Sequence, residues 1–321
     1  MPLWLSGIVA FALAYLLAPH MRKVALRYRF VDLPNERKIH RDPLPLLGGA
    51  AIFAGVLGSF LAGALWRNWL ETPYLGVVIG ASMLFIIGLL DDYYKTRGKD
   101  FSVGIRFVVQ ILAALMVPLF GGAIQGFTSP FGGHHFVAIP PYLSLFLTLL
   151  WIVGVTNVFN FLDGVDGLAA GIAAISATTL FFVALIKGDT ASAWFAIAVT
   201  GAAVGFLRHN FYPARIIMGD AGSTVLGYLL ASIASVGAFK SATVVSIGVP
   251  ILALGVPIFD AVRVVFLRAR AGRPVYKPDQ NHVHHWLLRL GLTQVQTVTV
   301  VYLISACFSL VSMLVLLLNR G

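Results

Sequence analysis

The sequence predicts an all-α integral membrane protein of about ten transmembrane helices, on three observations. Hydrophobic residues make up 59% of the chain and charged residues 11%, far from the roughly quarter-charged composition of a soluble domain. Apolar stretches long enough to cross a bilayer, about 17 to 25 residues each, begin near positions 3, 46, 74, 103, 142, 167, 191, 221, 244 and 295. With the N-terminus threaded outside, 19 of the 23 Lys and Arg residues fall on the inner side, as the positive-inside bias requires.

Taken in order, the first 21 residues contain no Lys or Arg, whereas Arg22, Lys23, Arg27 and Arg29 follow them. The first stretch is therefore read as a span rather than a cleaved signal peptide with a basic front end. In the second, Gly55, Ser59 and Gly63 have the small-xxx-small spacing of close helix packing. The turn-rich segment GGAIQGFTSPFGGHHFVAIPP, after the fourth, is expected to form a hairpin with His134 and His135 in its loop. The last span holds Cys307, the only cysteine, which excludes an intrachain disulfide and a thiolate metal cluster.

The same threading places both termini outside and loops 20–44, 91–106, 157–166, 208–219 and 263–293 in the cytoplasm. Eleven of the 13 acidic residues then lie on the inner side, so the chemistry is expected to face the cytoplasm. The net charge of +10 is spread over those loops, where it orients the chain and attracts anionic membrane lipids rather than nucleic acid. No linker-like segment and no internal repeat interrupts residues 1–321, read as one domain.

Four inner segments carry polar residues that a membrane anchor does not need. The third span ends in GLLDDYYK. Asp91 and Lys95 have the i, i+4 spacing of a helical ion pair, but Asp91 and Asp92 sit at the C-terminal end of the helix dipole, which disfavours anions. Two carboxylates about 5 Å apart at an effective dielectric near 20 repel by roughly 3 kcal/mol. A further cation is expected there, brought by a metal ion or a substrate complex.

In NVFNFLDGVDGLAAG, Asn157, Asn160, Asp163 and Asp166 recur every third residue. Gly164 and Gly167 are expected to end the helix, leaving the asparagines on its last turn and the aspartates in the loop. Amide and carboxylate oxygens converging there suit a hard cation such as Mg²⁺. In RIIMGDAGSTVLG, Asp220 and Ser223 either cap the following helix or join an anion and metal site at its N-terminus. PDQNHVHHWLLRLG holds His282, His284 and His285; with no cysteine and no HExxH pattern, phosphate contact with Arg289 nearby is favoured over zinc. Asp260, beside Pro257 in the ninth stretch, is an intramembrane acid and so a functional candidate. Lys38, His40 and Arg41 lie in a basic loop before the second span.

Together these segments resemble the polyprenyl-phosphate N-acetylhexosamine-1-phosphate transferases, the superfamily that includes MraY and the WecA/TagO enzymes. The resemblance rests on PNERKIH at 34–40, DDYYK at 91–95, NVFNFLDGVDGLAAG at 157–171, MGDAGS at 218–223, PIFDAVR at 257–263 and HVHH at 282–285. The histidine segment followed by LLRLGLT is nearer the WecA/TagO branch, although Gln280 and Trp286 stand where that branch commonly has arginine.

The resemblance implies transfer of N-acetylglucosamine 1-phosphate from UDP-N-acetylglucosamine to undecaprenyl phosphate at the cytoplasmic face of a bacterial inner membrane. UMP is released, and Mg²⁺ or alternatively Mn²⁺ is the cofactor. It implies metal ligation by Asp220 with Asn160 as a candidate second ligand, and uracil contact by Asp166. His282, His284 and His285 would contact the diphosphate or sugar. Asp91 and Asp92 are the catalytic candidates, serving the lipid phosphate or the metal, and Lys38, His40, Lys95, Asn157, Asp163 and Asp260 complete the candidate substrate-binding set. A homodimer is expected by analogy. The rivals are a muramoyl-pentapeptide transferase of the MraY type and a cation-coupled transporter, the latter predicting acids through the midplane rather than at one face.

Overall fold

The computed structural model describes residues 2–32, 43–67, 71–128, 136–239, 244–272 and 282–318. Twelve helices lie in these segments: α1 (Leu3–Arg27), α2 (Gly48–Arg67), α3 (Thr72–Thr96), α4 (Val103–Leu119), α5 (Pro141–Leu162), α6 (Leu168–Ile186), α7 (Thr190–Asn210), α8 (Gly219–Phe239), α9 (Val244–Ala253), α10 (Gly255–Arg270), α11 (Val283–Arg289) and α12 (Gln294–Leu318). Two small antiparallel ribbons accompany them, β1 (Val31–Asp32) with β2 (Leu44–Pro45), and β3 (Gly126–Thr128) with β4 (Phe136–Ala138). The second is the hairpin expected in the turn-rich segment. His134 and His135 of its loop lie outside the described residues.

Seven of the described helices, α1, α2, α3, α5, α6, α7 and α12, are long and apolar enough to cross a membrane. The protein is thus a mostly helical, multi-pass membrane protein. The stretch expected as one span from residue 244 differs: α9 and α10 are separated at Leu254. Pro257 has no N–H to offer the carbonyl of Ala253 four residues earlier, and Ser176 Oγ of α6 donates to that carbonyl instead, at 2.8 Å.

Helix α8 is the centre of the bundle, packing on α2, α3, α5, α6, α7 and α9. Its sequence is apolar or small on every side, as a helix buried all round must be. Small residues set the approach distances: Gly49 lies against the backbone of Gly222, Gly88 against that of Ala221, and Gly227 against Phe159. Lipid offers no hydrophobic drive for helix association, so such close backbone contacts carry the packing. The small face of α2 behaves as its spacing predicts. Gly55 packs on Ala10 and Ala202, Ser59 hydrogen-bonds Ser6 at 2.7 Å, and Gly63 faces the Trp194 ring.

Candidate active site

Every motif among the described residues sits at a helix end, and the ends converge. Helix α3 brings Asp91 and Asp92, both 1% exposed, against the start of α8. The two carboxylates do different things. Asp92 Oδ1 accepts from the backbone N–H of Asp220 at 2.9 Å and Oδ2 from that of Ala221 at 3.1 Å. The unfavourable C-terminal end of α3 is thereby answered by the favourable N-terminal end of α8. This requires Gly219, which has φ +67° and whose missing Cβ would run into the Asp92 carboxylate.

Asp91 and Asp220 share their cations. Lys95 Nζ lies 2.8 Å from Asp91 Oδ2 and 2.7 Å from Asp220 Oδ2. Arg106 Nη1, from the second turn of α4, lies 3.0 Å from Asp91 and 3.3 Å from Asp220. Part of the compensation that the acidic pair demands thus comes from Arg106 and from the α8 amides. Arg106 has no motif around it and was not among the sequence-derived candidates. Its only signal was a lone arginine in the first turns of an apolar helix.

The chain bends where the glycines predict. Asp163 follows α5, Gly167 (φ +79°) precedes α6, and Asp163 and Asp166 lie in the loop between them. Asn160 donates to Ser223 Oγ at 3.0 Å, and Ser223 donates to the Gly219 carbonyl at 2.9 Å. Asn157 is turned elsewhere, donating to Gln110 Oε1 of α4 and to its own helix carbonyl at Val153, both at 2.8 Å. Asp163 is half-buried, and burial followed by the negative charge of Asp220 pushes its carboxyl up to about 8.

Asp166 accepts from the Ala214 amide at 2.9 Å. Asn210, the last residue of α7, accepts from Gly167 N–H at 3.1 Å and donates to the Ile216 carbonyl at 3.0 Å. These bonds fasten loop 211–218 to loop 163–167. Asn210, like Arg106, was invisible as a site residue in the sequence.

The histidine segment docks on the same region. Asp260, 4% exposed, receives His282 Nδ1–H on Oδ2 at 2.7 Å and the Val283 amide on Oδ1 at 2.9 Å, so it opens α11 as Asp92 opens α8. The cost of an acid on an apolar helix is offset in this way. His284 is buried against Gly164, and its Nδ1 has no hydrogen-bond partner. Burial first, then His285 and His282, holds its imidazole down to about 3. His285 lies ring to ring with His284 at 4.4 Å, and Trp286 is exposed. Lys38 and His40, with the rest of PNERKIH, and Gln280 lie outside the described residues.

Asp91, Asp92 and Asp220 each offer an oxygen within 4.8 Å of the others, an arrangement that could hold a metal ion. The donor set fits a hard divalent cation, being all carboxylate with the Asn160 amide adjacent. Among the described residues the histidines form no such group with other ligand side chains.

Residues 74–238 match Glycosyl transferase family 4. A Bacillus subtilis protein named probable undecaprenyl-phosphate N-acetylglucosaminyl 1-phosphate transferase is 37% identical over 303 residues, 94% of this chain and 82% of its own. A decaprenyl-phosphate N-acetylglucosaminephosphotransferase of Mycobacterium tuberculosis H37Rv is 34% identical, covering 93% of this chain and 79% of its own. The Escherichia coli K12 undecaprenyl-phosphate alpha-N-acetylglucosaminyl 1-phosphate transferase is 28% identical over 91% of this chain and 78% of its own. With its acids, Lys95 and Arg106 gathered around the start of α8, the chain belongs to Glycosyl transferase family 4, within the polyprenyl-phosphate hexosamine-1-phosphate transferases.

Proposed function

We propose that this protein transfers N-acetylglucosamine 1-phosphate from UDP-N-acetylglucosamine to undecaprenyl phosphate, releasing UMP. The observation that carries the reading is the convergence of Asp91 and Asp220 on Lys95 and Arg106, in a chain whose relatives are named for that transfer. The site lies at the cytoplasmic face of a bacterial inner membrane. Ten membrane crossings in one domain, with both termini outside, complete the reading. α4 and α8 supply two crossings and the broken pair α9–α10 a third. A homodimer is proposed by analogy.

An oxygen of the lipid phosphate forms a bond to the β-phosphorus of the donor, and the bond from that phosphorus to the bridging oxygen breaks as UMP leaves. A phosphate monoester has its second pKa near 6 and is mostly dianionic at pH 7, so the nucleophile needs little help from a base. Gathering so much negative charge is the obstacle, and placed cations are the remedy. Lys95 and Arg106 supply two. Mg²⁺, held by Asp220 and Asp91 with Asn160 adjacent, would neutralise diphosphate charge when bound. Asp92 positions the start of α8. Asp166 binds the uracil, and His282, His284 and His285 the diphosphate or sugar, with Asn157, Asp163, Asp260, Lys38 and His40 completing the substrate-binding set.

For the acceptor, an apolar groove of about 630 Å³ runs between α5 and α10, lined by Leu150, Trp151, Val158, Ile258 and Val262 among others. Its chemistry suits a polyisoprenoid tail. Its wall on α10, Ile258, Ala261 and Val262, brackets in sequence the Asp260 that bonds the histidine segment.

The test is UMP release by the purified protein with undecaprenyl phosphate and Mg²⁺, comparing UDP-N-acetylglucosamine with UDP-N-acetylmuramoyl-pentapeptide. Turnover of the first donor alone, abolished by Asp220→Asn and by a chelator, is expected. Turnover of the muramoyl donor alone would overturn the donor assignment, and no UMP from either would overturn the reaction.

A further inference from the structure

Helices α1 and α7 run side by side, with Gly7 packed on Gly201 and Gly205 on the Phe11 carbonyl. Their seam is a groove with two chemically distinct parts. At the α7 end that leads into loop 211–218, a cavity of about 690 Å³ is lined by Arg208 and Arg215 together with Tyr15, Phe211 and Tyr212. Further along, a cavity of about 290 Å³ is almost wholly apolar, lined by Trp4, Ile8 and Ile197. The two adjoin, since Phe11 and Val204 line both.

Basic residues near the inner end of a span are ordinary in themselves. Four features set this groove apart. Among the described residues, no acidic side chain lines it and neither Arg208 nor Arg215 has an ion pair. Both arginines are exposed and belong to the same cavity wall as the tyrosines. The rim is held in place, since His209 Nε2 bonds the Tyr15 carbonyl at 3.0 Å and the two rings lie 5.0 Å apart. The apolar part then runs from Phe11 to Trp4, a rise of about 10 Å along the helix at 1.5 Å per residue. That is about a third of the ~30 Å hydrocarbon core.

We infer that the α1/α7 seam binds one anionic glycerophospholipid, its phosphodiester on Arg208 and Arg215 and an acyl chain along Phe11 and Val204 toward Trp4. Guanidinium groups are the side chains suited to phosphate oxygens. A free nucleotide or inorganic phosphate would leave the apolar extension unused, and a zwitterionic lipid would bring its own cation against the two arginines. The site is separate from the acceptor groove between α5 and α10 and does not depend on the reaction catalysed.

The experiment is native mass spectrometry of the full chain, released from detergent after equilibration with phosphatidylglycerol, phosphatidylcholine of the same acyl chains, undecaprenyl phosphate or inorganic phosphate. One phosphatidylglycerol retained at least tenfold over phosphatidylcholine is expected. The preference should vanish in Arg208→Gln/Arg215→Gln and persist in Arg208→Lys/Arg215→Lys. Val204→Trp, which fills the junction of the two cavities with the charges intact, should lower retention as well, and melting temperature reports that each variant folds. Equal retention of the two phospholipids, an unchanged preference in the glutamine variant, or undecaprenyl phosphate or inorganic phosphate alone depending on the two arginines would overturn the assignment.

Discussion

The carboxylate of Asp92, near the end of α3, holds the backbone of Asp220 by the N–H at the start of α8, 2.9 Å away. Its second oxygen takes the next amide, of Ala221, at 3.1 Å. Two residues 128 apart in sequence therefore form one unit, in which a side chain from one helix end supplies the cap for another.

The neighbouring aspartates should consequently separate in their mutational effects. Asp92→Asn places an NH2 opposite a backbone N–H, and losing one charge-assisted bond costs about 1.5–3 kcal/mol. Its melting temperature should fall together with UMP release. Asp91→Asn gives up ion pairs with Lys95 and Arg106, but Asp220 keeps both cations and loses a like-charged neighbour, so its melting temperature should hold or rise while UMP release still falls. Thermal melts in detergent beside a UMP assay check both, and equal melting of the two variants would contradict this division.

Gly219→Ala should be more damaging than an ordinary glycine substitution. A left-handed non-glycine residue costs about 1–2 kcal/mol, and at φ +67° the added methyl also meets the Asp92 carboxylate. A lowered melting temperature and loss of at least about tenfold in UMP release are expected, of the order that a displaced reacting group produces. Gly98, with φ +67° and open space around its missing Cβ, is the control: Gly98→Ala should show the backbone cost alone.

Arg106→Gln should leave the fold intact, since its side chain is part-exposed, and should lower the rate of UMP release about 10²- to 10³-fold, comparable to deleting one placed donor to developing charge. Arg106→Lys should recover part of that loss. A rate within twofold of the parent for the glutamine variant would remove Arg106 from the site.

Acid should loosen the histidine segment. His284 is held down to about 3 when folded, chiefly by burial, against about 6.5 when unfolded. A group whose pKa is depressed by folding contributes full stability above the unfolded value and loses it as pH falls toward the folded one, at up to about 1.4 kcal/mol per pH unit. Melting temperature should therefore decline from about pH 6.5 downward, and His284→Gln, which does not titrate, should flatten that decline. An identical acid limb in the variant would assign it to other groups.

Much of this was legible in the sequence because apolar length and glycine placement are local properties. The expected helix starts near 3, 46, 74, 103, 142, 167, 191, 221, 244 and 295 each fall within a few residues of an observed one, and Gly164 and Gly167 place Asp163 and Asp166 in a loop. Relations across the fold were not legible. Nothing in DDYYK says that one aspartate caps a helix starting at Gly219 while the other pairs with an arginine on α4. The division at Leu254 was hidden too, because the surrounding residues are as apolar as any span; Pro257 was the sign, but a proline alone does not say whether the chain merely bends.

Between α9 and α10 the proline fixes where the ladder of hydrogen bonds can open, whereas Ser176 on α6 determines which opening leaves no carbonyl bare. The direction of α10, and with it the reach of Asp260 toward the histidines, is in that sense aimed from a third helix. A hydroxyl well removed from any reacting atom thus acts as the set-screw of the site: Ser176→Ala would leave the joint in place but undo its adjustment.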